Sequence, residues 1–195
     1  MGFLSGGHRS SRRQTPSVAS RATTRFRVPN TLLSNDPKAV REFHQRHQGS
    51  VIIKAARNSG RIFLATQQVD LEELSDNQIC EVPAIYQELI SGTKHLRVNC
   101  FGNNIYAALI ESADLDWRPN LNVPISHCSL DPELEERLIR LLKSFDLRVG
   151  VMDLKISDQG EVVWFEVNPQ GQFLFLEPLT GQDLLAAFTD YLLGR

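Results

Sequence analysis

Cysteine is scarce in this chain: Cys80, Cys100 and Cys128 are three in 195 residues, an odd number with no CxxC spacing. A disulfide framework and a cysteine-rich zinc module are thereby excluded, and ordinary thiols in a reducing cytoplasm are expected. His127 adjoins Cys128, but residues adjacent in sequence rarely reach the geometry that activates a thiolate. Long apolar runs are missing too, since none approaches the roughly 18 residues that would suggest a membrane span. Excess charge of one sign is absent: 21 Lys and Arg against 23 Asp and Glu leave a formal charge of −2 and a pI near 6.2. That balance gives no electrostatic case for nucleic acid or an anionic membrane as partner. There is no Walker A loop, Gly-x-Ser-x-Gly elbow or HExxH helix, so the common nucleotide, serine-hydrolase and zinc-protease motifs are all missing.

Acidic residues are absent from residues 1–25, MGFLSGGHRSSRRQTPSVASRATTR, a stretch rich in Ser, Arg, Gly and Thr. This composition predicts a mobile tail. Its arginines suit a transit peptide, but apolar residues are too sparse for a secretory signal. Gly6 stands where an N-myristoylation motif needs Ser or Thr.

From Phe26 onward the chain is well punctuated. Asp36-Pro37 predicts a capped helix running to about Gln48 and ending at Gly49. Val51–Lys54 reads as a strand, with a hairpin partner at 61–66 after the Asn58-Ser59-Gly60 turn. Strands AIYQELI, LRVNCF and NIYAALIES follow in an order that suggests antiparallel pairing. Asp131-Pro132 opens a second helix, in which Leu134, Leu138, Leu141, Leu142 and Phe145 share one face. Thr180 and Asp183 resemble a capping box at the start of a last helix. The fold class is therefore α+β.

The stretch VGVMDLKISDQGEVVWFEVN holds the most informative polar groups. Its two apolar runs flank a turn at Asp158 to Gly160, as in a hairpin. Glu166 and Asn168, two apart on one strand, share a face, and pairing can bring Asp153 alongside them. Three hard oxygen ligands suit Mg²⁺, although the same groups could line a solvated sheet face. Lys54 ends its strand beside the small-residue turn AARNSG, where it could meet a phosphate or simply extend into water. Arg97, inside LRVNCF, needs an anionic partner if it points inward. Arg118, in DWRPN beside Trp117 and near Asn120, suits phosphate contact or surface stacking equally.

The run GVMDLKISDQGEVVWFEVNPQGQFLFLEPLTGQDL resembles the C-terminal signature of ATP-grasp ligases, in particular the RimK-type branch and the related graspetide maturases that make microviridin-like peptides. VPNTLLSNDP, SVIIKA, IYQELI and HLRVNCFGNNIYAALIES with DWRPN extend the likeness over Phe26 to Arg195. The resemblance implies an ATP-grasp fold of two small lobes of antiparallel sheet with packed helices, residues 26–90 forming the N-terminal ATP-binding lobe and hinge and 91–195 the metal-binding lobe. It implies Asp153, Glu166 and Asn168 as ligands for Mg²⁺, with Mn²⁺ as the alternative ion. It places Lys54 on the α/β phosphates of ATP, Gln87, Glu88, Leu89 and Ile90 around adenine and ribose, and Arg97 and Arg118 on the transferring phosphoryl group beside Asn120. The implied reaction is carboxylate ligation through an acylphosphate captured by an amine or hydroxyl, with a peptide or small carboxylate as substrate and a homodimer as the expected assembly.

Two departures from the family pattern stand out. The family's N-terminal domain has no counterpart in the chain, and the first ATP-contacting lysine would fall near Gln14, where only Arg12 and Arg13 offer positive charge. LNVPIS follows Asn120, where relatives carry a glycine-rich segment. A truncated ATP–Mg²⁺-binding module without turnover is therefore the alternative to a ligase, and a purely structural domain the third reading. Retention of the Asp, Glu and Asn set argues against the last.

Overall fold

Short apolar runs separated by turn residues form the strands, and two antiparallel sheets result. The computed structural model describes residues 25–55 and 66–195. The first sheet contains β1 (Thr31–Ser34), β2 (Val51–Ala55), β3 (Gln67–Gln68) and β4 (Ala84–Glu88) in the order β1-β4-β2-β3. The second contains β5 (Lys94–Phe101), β6 (Asn104–Glu111), β7 (Ile125–Cys128), β8 (Val149–Ile156) and β9 (Val162–Asn168) in the order β7-β6-β5-β8-β9. Five α-helices are described: α1 (Pro37–Arg46), α2 (Asp76–Glu81), α3 (Pro132–Ser144), α4 (Glu177–Thr180) and α5 (Leu184–Leu193).

The helix starts follow local chemistry. Asp36 caps α1 by accepting from the Lys38 amide at 3.1 Å, Asp131 caps α3 from the Glu133 amide at 2.8 Å, and both helices open on proline. Ser75 and Gln78 form a capping box for α2, which lies outside any periodic run and is not expected from the sequence. The start of α5 corrects the expected box: Asp183 accepts from Ala186 N and the Glu177 carboxylate from Leu185 N, while the Thr180 hydroxyl donates to Leu176 O at the end of the preceding turn. The strand expected at 61–66 lies outside the described residues except for Thr66; β3 occupies the position beside β2.

Each sheet buries one face on helices. Val51 of β2 and Tyr86 of β4 pack with Val40 and Phe43 of α1 and Ile79 of α2. In the second sheet Leu96, Val98, Cys100, Met152 and Leu154 pack on Leu138 and Leu142 of α3, each leucine worth about 1.5–3 kcal/mol by burial. Phe145 departs from its expected core position: it caps α3, is half exposed, and stacks on Trp164 at 6.1 Å between centroids. The opposite face of the second sheet is covered in part by Leu176 and Leu184 against Ala108, and elsewhere it faces the first sheet across a cleft.

Candidate active site

A cleft of about 760 Å³ lies between the two sheets. Its wall on the first sheet is the non-core face of β2 and β4, where Ile52, Lys54, Ile85 and Gln87 alternate with the buried Val51 and Tyr86. Its wall on the second sheet carries His95, Asp153, Lys155 and Glu166.

The hairpin β8–β9 does what its sequence predicts: Asp153 stands directly opposite Glu166, and Val151 opposite Asn168. Pairing then shifts, with Leu154 opposite Trp164, so Phe165 is an extra residue in a β-bulge. The bulge keeps Trp164 on the core side and sends Phe165 into the cleft. There the Lys54 ammonium lies 5.6 Å from the Phe165 ring centre. No periodicity in FEVN announces this contact.

Lys54 donates to Gln87 Oε1 at 2.8 Å, and Gln87 Nε2 donates to Thr31 Oγ1 at 3.0 Å. Burial lowers the Lys54 pKa below the ordinary lysine value, with Glu166 pulling the other way. The Arg118 guanidinium makes two hydrogen bonds to Asp116, at 2.7 and 2.9 Å, and its Nη1 is 4.0 Å from Glu166 Oε1. Burial pushes the Asp116 carboxyl up, but the Arg118 bonds outweigh it and the net shift is downward. Asp116, two residues before the expected Arg118, carries no separate sequence signal.

Arg97 donates to Asp153 Oδ1 at 2.8 Å and to the Gln172 carbonyl at 2.7 Å, beneath Trp117 and Phe175. Its inward side chain has the carboxylate partner the sequence demanded. Arg97 does not line the cleft, and neither do Asn120 and Asn168. Asn120 Oδ1 accepts from the Asn122 amide at 3.1 Å, and Asn168 Oδ1 accepts from the Gln170 amide at 2.9 Å, so both carbonyls hold turns. Leu89 and Ile90, expected around adenine and ribose, line the cleft. Glu88 lines it as well, but its carboxylate is engaged: Arg27 bonds Oε1, and the Asn30 backbone and side-chain amides donate to Oε2 at 3.1 and 3.2 Å.

The donor set fits a magnesium ion. Asp153 and Glu166 present carboxylates on one cross-strand rung, and Glu166 has no hydrogen-bond partner among the described residues. No three His, Cys, Asp or Glu side chains gather into a metal cage among those residues. Two carboxylates with an adjacent amide match an ion that takes only one or two protein carboxylates and completes its octahedron with phosphate and water.

Comparison with solved structures decides the architecture. Macrocyclase MdnC of Microcystis aeruginosa MRC, bound with precursor peptide MdnA, superposes with a TM-score of 0.77 at 24% identity, over 91% of this chain and 59% of MdnC. The chain has the ATP-grasp fold. A Chryseobacterium gregarium RiPP-associated ATP-grasp ligase, in complex with ADP and a leader and core peptide, gives 0.77 at 24% identity over 90% of this chain and 57% of that one. ATP-grasp ligase PsnB, complexed with a precursor variant, Mg and ADP, gives 0.75 at 26% identity over 90% and 56%. By sequence, the ATP-grasp chain is 25% identical over 146 residues to a probable alpha-L-glutamate ligase of Picosynechococcus sp., covering 72% of this chain and 48% of the relative. It is also 25% identical over 174 residues to one of Chromohalobacter salexigens, covering 85% and 57%. The chain thus spans about half the length of the curated relatives it matches. No family model matches it. These likenesses agree with the resemblance to the RimK-type and peptide-modifying branch.

Proposed function

We propose that the cleft binds ATP with Mg²⁺ and that the chain serves a carboxylate ligase acting on a peptide or small carboxylate. The observation that carries this reading is the Asp153–Glu166 rung facing Lys54 and Arg118 across one cleft. Asp153 and Glu166 would hold the ion, with Asn168 next to them on the same strand face, and Lys54 and Arg118 would meet the phosphates. Held by Asp153 and Glu166, Mg²⁺ would offset negative charge on the phosphate oxygens. A substrate carboxylate oxygen attacks the γ-phosphorus and ADP leaves. An amine or hydroxyl then attacks the acyl carbon of the resulting acylphosphate, inorganic phosphate leaves, and the nucleophile loses its proton. Arg97 acts one step back, fixing Asp153 in place rather than touching the nucleotide.

Calorimetry of ATP binding with and without Mg²⁺, for the wild-type chain and Glu166→Gln, tests the site. Mg²⁺-dependent binding lost in the variant is expected; equal binding by both would remove Glu166 from the site. A nucleotide-binding module without turnover is the second reading. ATP binding without ADP release in the presence of candidate carboxylates would favour it.

A further inference from the structure

Eleven large apolar side chains are exposed among the described residues, and five of them, Leu174, Leu179, Leu185, Leu192 and Leu193, crowd into residues 174–193. Helix α5 accounts for most of that excess, because it is apolar on both faces. The inner face is used: Leu184 is fully buried against Ala108 and Leu176, and Phe188 packs on Phe101 and Phe173. On the outer face Leu185, Leu192 and Leu193 are 53%, 66% and 59% exposed. A helix with one buried face carries polar residues on the other, whereas one that is apolar all round is built for burial on both sides.

At roughly 100° per residue, Leu192, Leu185, Thr189, Leu193 and Ala186 follow one another around an outward arc of about 120°. Thr189 is the one polar residue in that arc, and its hydroxyl donates to the Leu185 carbonyl at 2.8 Å, so its proton is used within the helix. Charged residues stand at the margins: Asp183 at the N-cap, Asp190 on one rim, and Arg195 just past the Gly194 C-cap. Neither Asp183 nor Arg195 makes an ion pair among the described residues.

The order of these residues is symmetric about Thr189. Positions 185 and 193, 186 and 192, and 183 and 195 lie at equal distances from it along the chain. Two α5 helices laid antiparallel and crossing at Thr189 therefore set Leu185 of one against Leu193 of the other, and the small Ala186 against the large Leu192. The same register brings the Asp183 carboxylate of one copy beside the Arg195 guanidinium of the other, and the two helix dipoles oppose. A twofold contact requires this self-complementarity, with both halves drawn from one patch, and a different partner does not.

We propose that the outer face of α5 is the surface through which two copies of this chain associate, helix on antiparallel helix about a twofold axis at Thr189. None of these residues lines the cleft, so association and nucleotide binding are separable.

Sedimentation equilibrium on the full chain tests the contact. The expected mass is twice 22.0 kDa at roughly 100 µM, falling on dilution because one helix pair makes a smaller contact than a standard interface. Leu192→Glu, at an exposed position, should leave the far-UV circular dichroism unchanged and give the monomer mass. Arg195→Glu sets like charges together and should raise the dimer Kd several-fold. The register has its own readout. In a Cys80→Ser background, which removes the exposed native thiol, Thr189→Cys is expected to form a disulfide between copies under mild oxidation, and adding Leu192→Glu should abolish it. A wild-type mass of 22.0 kDa at every concentration would overturn the proposal, as would a dimer that survives Leu192→Glu or a Thr189→Cys chain that does not cross-link.

Discussion

Arg97 and Asp153 show how one residue pair can serve structure and site together. Both side chains are largely buried, and Arg97 ties its partner to the Gln172 carbonyl of the segment after β9. Removing the cation alone would strand a carboxylate in a poorly solvated place. Arg97→Met should therefore cost roughly 2–4 kcal/mol in urea denaturation, with Mg²⁺-dependent nucleotide binding weakened through a misplaced Asp153. Gentle loss, under about 1 kcal/mol, would show the pair to be effectively solvated. His95 yields a pH prediction. Burial and the neighbouring Lys155 push its folded pKa down to about 4, below the ordinary 6.5, so the unfolded chain binds more protons between those values. Stability contributed by this group is full above pH 6.5 and is lost as pH falls toward 4, by about 3 kcal/mol in all. The wild-type curve should fall more steeply than that of His95→Leu across this window; parallel curves would refute the buried neutral imidazole. Cys100, buried and pushed up to about 12, should resist thiol reagents in the native state, whereas the exposed Cys80 should react.

At the scale of elements, the connection between the sheets is the point of interest. The chain crosses twice, at 28–30 and at 89–93, and the crossings are joined where Glu88 N donates to Asn30 O at 2.9 Å. Phe26 is packed in the core of the second sheet, and Arg27 forms a parallel bridge to Val163 of β9. The Arg27 guanidinium then reaches Glu88 on the first sheet and Glu161 in the β8–β9 turn at 3.2 Å. Arg27→Ala should leave each sheet folded but loosen their mutual angle, raising the Kd for ATP–Mg²⁺ several-fold. Equal Kd values would show that the bracket is dispensable. Gly92, in the second crossing, has φ +114°, and a Cβ there would lie 2.4 Å from the Ile156 carbonyl oxygen. Gly92→Ala should cost about 2–3 kcal/mol, against about 1 kcal/mol for Gly160→Ala, whose φ is also positive but whose Cβ would meet nothing within 4 Å. Chemical denaturation of the two variants tests that order.

For the whole molecule, ligand binding and folding are linked because the cleft is walled by both sheets. ATP–Mg²⁺ at a hundred times its Kd should add about 2.7 kcal/mol of stability to the wild-type chain and little to Glu166→Gln. A thermal shift of equal size in both would place the ligand elsewhere. By itself the sequence determined the hairpin with Asp153 against Glu166, the capped starts of α1 and α3, the strands around Lys54 and Gln87, and the α+β class. Each rests on near neighbours: a Gly-containing turn, an Asp-Pro step, or alternation within one strand. Only the tertiary structure decided that Glu88 is held by Arg27, 61 residues away, that Arg97 is bonded to Asp153 and the Gln172 carbonyl, and that Asn120 and Asn168 hold turns. The same holds for the bulge that turns Phe165 inward and for the His95–Lys155 rung. Those facts depend on strand register and on how two sheets face each other, which distant backbone pairing sets and no local pattern of residues encodes.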